Sequence, residues 1–203
     1  MNRFLNKSPN LRASLYNIAT KKTDQLTIHD LCEYQNAKIY DNKAIWTYTK
    51  DLKSSIYVYK IDNHAQCSIS RDGQVSSPEI CDDYVVWSEL RGAASDIYLA
   101  KFNVDNYGSI KLGKVVQITT SGKASNPSID GNRIVYEDVY ANPNLENNIY
   151  MYDISTEKTT LITNSGHAWN PCICGNKIVY TDRKAIAADD MDSTNIYMFE
   201  LQA

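Results

Sequence analysis

Apolar positions along this chain cluster in short runs and never settle into a sustained helical period. The runs Ile56-Tyr57-Val58-Tyr59, Ile97-Tyr98-Leu99-Ala100, Ile149-Tyr150-Met151-Tyr152 and Ile196-Tyr197-Met198-Phe199 are built of β-branched, aromatic and aliphatic side chains between polar stretches. That is strand chemistry. A longer pattern contains them. The line from Ile162 to Asp182, ITNSGHAWNPCICGNKIVYTD, repeats the line from Ile118 to Asp138, ITTSGKASNPSIDGNRIVYED, 44 residues earlier and without a gap. An internal repeat of this period, written in strands with turn residues between, predicts a propeller or a solenoid.

Two more copies emerge when the register is anchored on Pro127 and Pro171. Pro78 and Ala37 take the same place, so that Ile falls two positions later and an aromatic (Trp46, Trp87, Tyr136, Tyr180) nine positions later. The four copies lie 41, 49 and 44 residues apart. Each reads as four short strands. The first two are joined by a tight turn at Asp41-Asn42, Asp82-Asp83, Gly131-Asn132 or Gly175-Asn176. The fourth closes on Ser-Gly or Asp-Gly signals at Gly73, Gly122 and Gly166. The stretch from Leu15 to Thr27 aligns with Met151 to Thr163, so residues 11–36 carry a partial blade. The expected architecture is all-β: a β-propeller of four-stranded antiparallel blades, four or five in number, in one domain over residues 11–203 after a lead-in at 1–10. Strand three is then present at both ends, which allows homo-oligomers to form through unpaired terminal strands.

Composition agrees and removes several functions. Tyr occurs 15 times against 3 Phe, which suits half-buried pleated surfaces whose hydroxyl end stays wet. A net charge of -3 with acids and bases interspersed leaves no footprint for nucleic acid. No apolar run reaches the roughly 20 residues of a membrane helix, and Met1 to Lys7 leads into polar residues rather than a signal-peptide core, so a soluble, unsecreted chain is expected. Five scattered cysteines, an odd count, point to reduced thiols rather than a disulfide framework.

The line Asn148 to Lys158 (NIYMYDISTEK), followed by Leu-Ile-Thr-Asn-Ser-Gly, Asn-Pro and Gly-Asn-Lys-Ile-Val-Tyr-Thr-Asp-Arg ending at Arg183, resembles the repeat of TolB-like β-propellers. It is similar in particular to the repeats of archaeal surface proteins of the methanosarcinal type. The resemblance runs from about Leu11 to Leu201. It implies blades ranged around a channel, presentation at the cell envelope or outside the cell, and a binding or scaffolding role. The chain departs from it in having about four blades where TolB has six.

In such a ring the loops joining strand four to the next strand one share a face with those joining strands two and three, and that face is where binding residues are sought. There one loop position carries Gln74, Lys123 and His167 in successive copies, beside Arg71 and Trp169. Variation on a constant frame marks a binding surface for a protein or glycan partner; drift at exposed positions is the simpler account of the same pattern. Two residues past each strand-two aromatic stand Tyr48, Glu89, Asp138 and Asp182. The three acids read as loop-ordering acceptors at strand ends rather than as a partial ring for a cation or a sugar hydroxyl. Asp190 and Asp192 alternate as ligands do in calcium loops, without the glycine and distal Glu of an EF-hand, so no cofactor is expected beyond that weak calcium site. Cys172 and Cys174 read as small buried hydrophobes. No catalytic constellation is written in the chain, and a non-enzymatic binding module follows. The alternatives are a metal-dependent, lyase-like carbohydrate-active enzyme using His29, His64 and His167, and a structural spacer of a larger surface protein.

Overall fold

The computed structural model of the chain describes residues 13–26, 33–50, 53–139, 147–183 and 194–202. The lead-in at 1–10, His29, Asp190 and Asp192 lie outside them. A hairpin of β1 (Ser14–Asn17) and β2 (Lys22–Gln25) comes first. Blade 1 is β3 (Glu33–Tyr40), β4 (Lys43–Lys50), β5 (Lys53–Lys60) and β6 (Gln66–Arg71). Blade 2 follows as β7 (Gln74–Cys81), β8 (Tyr84–Arg91), β9 (Ala94–Val104) and β10 (Ile110–Gln117). Blade 3 is β11 (Ser125–Asp130), β12 (Arg133–Asp138), β13 (Asn148–Asp153) and β14 (Lys158–Leu161). Blade 4 is the three-stranded sheet of β15 (Ala168–Cys174), β16 (Lys177–Asp182) and β17 (Asn195–Glu200). All four sheets are antiparallel, and their first strands stand side by side in the order β3, β7, β11, β15. The fold is a four-bladed β-propeller, with the N-terminal hairpin packed by Ala13 and Leu26 against Tyr34, Ala44, Trp46 and Tyr59 of blade 1.

The recurring residues each answer a backbone demand. Asp41, Asp82, Gly131 and Gly175 open the strand-one to strand-two turns at φ between 50° and 59°, where the left-handed region favours Gly, Asn and Asp. Asn36, Ser77, Asn126 and Asn170, each just before the anchor, also have positive φ. Every first strand slips register there, between Gln35 and Lys38, Ser76 and Glu79, Ser125 and Ser128, and Trp169 and Cys172. The Asn-Pro pair is therefore a β-bulge signature: Asn tolerates the left-handed bulge residue, and Pro occupies a position that donates nothing to the ladder. These bulges also tie blades together. Ser77 Oγ donates to Asn126 Oδ1 at 3.2 Å, Asn126 Nδ2 to Glu137 at 2.8 Å, and the Asn170 backbone N–H to Glu137 at 2.6 Å, linking blades 2, 3 and 4.

Within each blade the strand-two aromatic stacks on the strand-three Tyr directly opposite it. Trp46 on Tyr57, Trp87 on Tyr98, Tyr136 on Tyr150 and Tyr180 on Tyr197 have centroids 5.7 to 6.0 Å apart and planes within 23° of parallel. The spaces between blades are filled by Ile and Val of strands two and three, such as Ile45, Ile56 and Val58 against Val85 and Trp87. Burial of a side chain of this size stabilises by about 1.5–3 kcal/mol.

A buried polar module closes two of the outer loops. In blade 2, Thr119 Oγ1 accepts from the Ile97 N–H at 2.9 Å and donates to Asp96 Oδ1 at 2.8 Å, while Asp96 Oδ1 also accepts from the Gly122 N–H at 3.1 Å. Blade 3 repeats it with Thr163, Ile149, Asn148 and Gly166. This is the structural reason for the Ile-Thr and Ser-Gly pairs. Thr119→Val keeps the shape and orphans the buried Ile97 N–H, so a loss of about 2 kcal/mol is expected, read from the urea midpoint at unchanged m-value.

Candidate functional site

Strand alternation puts Trp87, Glu89 and Arg91 on one side of β8, at its loop end. Glu89 is 1% exposed. Its carboxylate accepts from Arg71 Nε at 2.6 Å, Arg91 Nε at 2.7 Å and Trp87 Nε1 at 3.2 Å. Burial pushes the Glu89 carboxyl up, but the hydrogen bonds from Arg71, Arg91 and Trp87 outweigh it and hold the group below its usual range. Arg71 comes from the last strand of blade 1, so the clamp is also a joint between blades. Beneath it the guanidinium of Arg71 lies over Tyr98 at 5.0 Å and that of Arg91 over the same ring at 5.5 Å. Each arginine spends Nε on Glu89, and their Nη atoms make no hydrogen bond among the described residues. A cleft of about 590 Å³ opens beside them, lined by Asp72, Gly73, Gln74, Leu90, Arg91 and Gly92. Gly73 is fixed by space: a Cβ there would stand 2.7 Å from the Leu90 carbonyl oxygen and 2.7 Å from Glu89 Cγ. The cleft thus presents exposed donors on Arg91 and Gln74 and an exposed acceptor on Asp72, over an aromatic floor that holds the arginines in place. Such a surface suits hydrogen bonding to hydroxyls, amides or carboxylates.

The two sets of loops expected to share a face do so. The Ser95 N–H donates to the Gly122 carbonyl at 3.0 Å and the Ala124 N–H to the Ser95 carbonyl at 2.9 Å; Asn147 and Gly166 do the same in blade 3. Gln74 lines the cleft and Arg71 stands behind it. Lys123 and His167 are exposed at the equivalent place on the next two blades, and Trp169 is half-buried on β15. They extend the same face without lining the cleft. Arg91 was not singled out by sequence. Its signal is the alternation Trp87-x-Glu89-x-Arg91, which aims an indole N–H, a carboxylate and a guanidinium to one side.

Three expectations change. Glu89 does not order a loop through backbone N–H groups but clamps two arginines, and the fully buried Asp182 carboxylate accepts no hydrogen bond among the described residues. Loop ordering belongs instead to Asp96 and Asn148 at the start of strand three. Cys172 and Cys174 are exposed rather than buried, because their side of blade 4 has no further blade against it, whereas Cys81, in the place of Cys174, is buried by blade 3. His64 sits in the β5–β6 turn at the opposite end of the blades, hydrogen-bonded to the Tyr59 hydroxyl, so it does not share a site with His167.

No family model and no curated protein matches this sequence. Solved structures do match in shape. TolB from Acinetobacter baumannii superposes with a TM-score of 0.64 at 11% identity, over 94% of this chain and 46% of that one. The β-propeller domain of the Trilobed protease from Pyrococcus furiosus gives 0.59 at 14% identity over 86% and 56%. An acylaminoacyl peptidase from Pyrococcus horikoshii gives 0.63 at 14% over 92% and 34%. The chain spans about half or less of the length of these proteins, and the likeness is one of fold. The fold is that of a TolB-like β-propeller.

Proposed function

We propose that this propeller is a non-enzymatic binding and scaffolding module that engages a protein or glycan partner through its loop face, with the cleft at Gln74 and Arg91 as the main contact. The observation that supports this most is the clamp on Glu89. Two arginines fixed by one buried carboxylate and stacked on Tyr98 lose little freedom on binding, which lowers the cost of association. Lys123, His167 and Trp169 widen the contact on blades 3 and 4. The similarity of the repeat to methanosarcinal-type surface proteins supports presentation at the cell envelope.

Saturation-transfer NMR against neutral and uronic-acid oligosaccharides and Glu-rich and Arg-rich peptides tests the reading. At least one of these probes is expected to bind, with affinity reduced about tenfold by Arg91→Ala, corresponding to roughly 1.4 kcal/mol. No binder in the panel, or a binder indifferent to both Arg91→Ala and Gln74→Ala, would contradict it.

A further inference from the structure

Each joint between blades is made from two kinds of surface. The trailing face of one blade offers the residue before the strand-two aromatic and the first Ile of strand three; the leading face of the next offers the Ile two positions after the anchor. Ile45, Val86 and Val135, with Ile56, Ile97 and Ile149, are all 0% exposed on the trailing faces of blades 1 to 3. Their equivalents on blade 4 are Val179 at 39% and Ile196 at 78%. On the leading side, Ile80, Ile129 and Ile173 are 5 to 9% exposed, and their equivalent on blade 1, Ile39, is 62%. The molecule therefore carries both halves of a joint it builds three times, each uncovered, at opposite ends of the row. The hairpin β1–β2 covers Trp46 and Tyr59 of blade 1 but leaves Ile39 open.

The polar part of the joint is unfilled in the same places. At the blade 2 to 3 joint the Gly131 N–H donates to Cys81 Sγ at 3.2 Å, and at the blade 3 to 4 joint the Gly175 N–H donates to Asp130. The matching acceptor on blade 4 is the exposed Cys174, and the matching turn on blade 1 begins at the exposed Asp41.

We propose that a second copy of this chain docks head to tail at this site, seating its Ile39 edge of blade 1 on the Val179, Ile196 and Met198 face of blade 4. The contact is heterologous, since unlike surfaces meet, and two copies satisfy it reciprocally. The occupant is chosen by complementarity: the surface that covers such a trailing face three times within the chain is the leading face that the chain exposes at its other end.

Light scattering on the eluting protein tests this at tens of micromolar. A mass of at least twice 23.0 kDa is expected. Ile196→Lys and Ile39→Lys alter exposed side chains, so each should keep the strand circular dichroism. Ile39→Lys and Ile196→Lys each weaken self-association at least tenfold, and an equimolar mixture restores dimers, because each variant retains the half the other lacks. Labelling of Cys174 by a maleimide should be slower in the wild type than in Ile196→Lys. A wild-type mass of one chain overturns the proposal, and so would closure of one chain on itself, which gives that mass. An Ile39→Lys variant that self-associates like wild type would mean that like faces meet, which also overturns it.

Discussion

Glu89→Ala is expected to lower stability by about 3 kcal/mol. Removing one partner of a buried ion pair costs about 3–5 kcal/mol because the other charge is left without its counterion, and the half-exposed Arg91 side chain, which can turn to water, places this case at the low end. For a domain of this size the melting temperature should fall by roughly 6–12 °C. Glu89→Gln, which keeps the shape and an acceptor for the Trp87 indole, should lose about half as much. The pH dependence separates charge from shape. The folded-state pKa of Glu89 is depressed, so its contribution is present above the ordinary Glu value of about 4.3 and is lost as the pH falls through the lower folded value. The difference between wild type and Glu89→Gln should therefore shrink below about pH 4. A difference that is flat from pH 7 to pH 3 would mean that the carboxylate's charge is not what holds the arginines.

Trp87→Ala should cost more, about 3–5 kcal/mol. The indole is 0% exposed, stacks on Tyr98 at 6.0 Å, lies under the Arg71 guanidinium and donates to Glu89. Its removal opens a cavity at the joint between blades 1 and 2 and loosens the clamp together. Trp87→Phe keeps most of the packing and loses the indole donor, so a loss of about 1–2 kcal/mol is expected. The double variant Trp87→Ala with Glu89→Ala should lose less than the two single losses combined, because both single changes break the same contact. Strict additivity in denaturant titrations would separate the core from the clamp.

Much of the fold was legible because a propeller states the same local demands several times. Gly131-Asn132 and Gly175-Asn176 are turn chemistry wherever they stand, and four anchors with Ile two and an aromatic nine positions later set the register of β3 to β17. The meaning of Asn-Pro was not legible, since a bulge is a relation between two strands and only the paired register shows that Asn126 and Asn170 are the left-handed residues. The site was half legible. Loop position and variability pointed to Gln74 and Arg71, but not to Arg91, whose role depends on Arg71 arriving from the neighbouring blade to share Glu89. Cys172 and Cys174 were misjudged for a related reason: alternation says that they share a side, and only the succession of blades says that nothing covers it.

The loop-face cleft is tested most directly by the amide hydrogen-exchange footprint of the tightest binder among the oligosaccharide and peptide probes. Protection is expected at Arg71 to Gln74 and Leu90 to Gly92, with the turns at Asp41-Asn42, Asp82-Asp83, Gly131-Asn132 and Gly175-Asn176 unchanged. Protection of those turns with an unaffected cleft would contradict it.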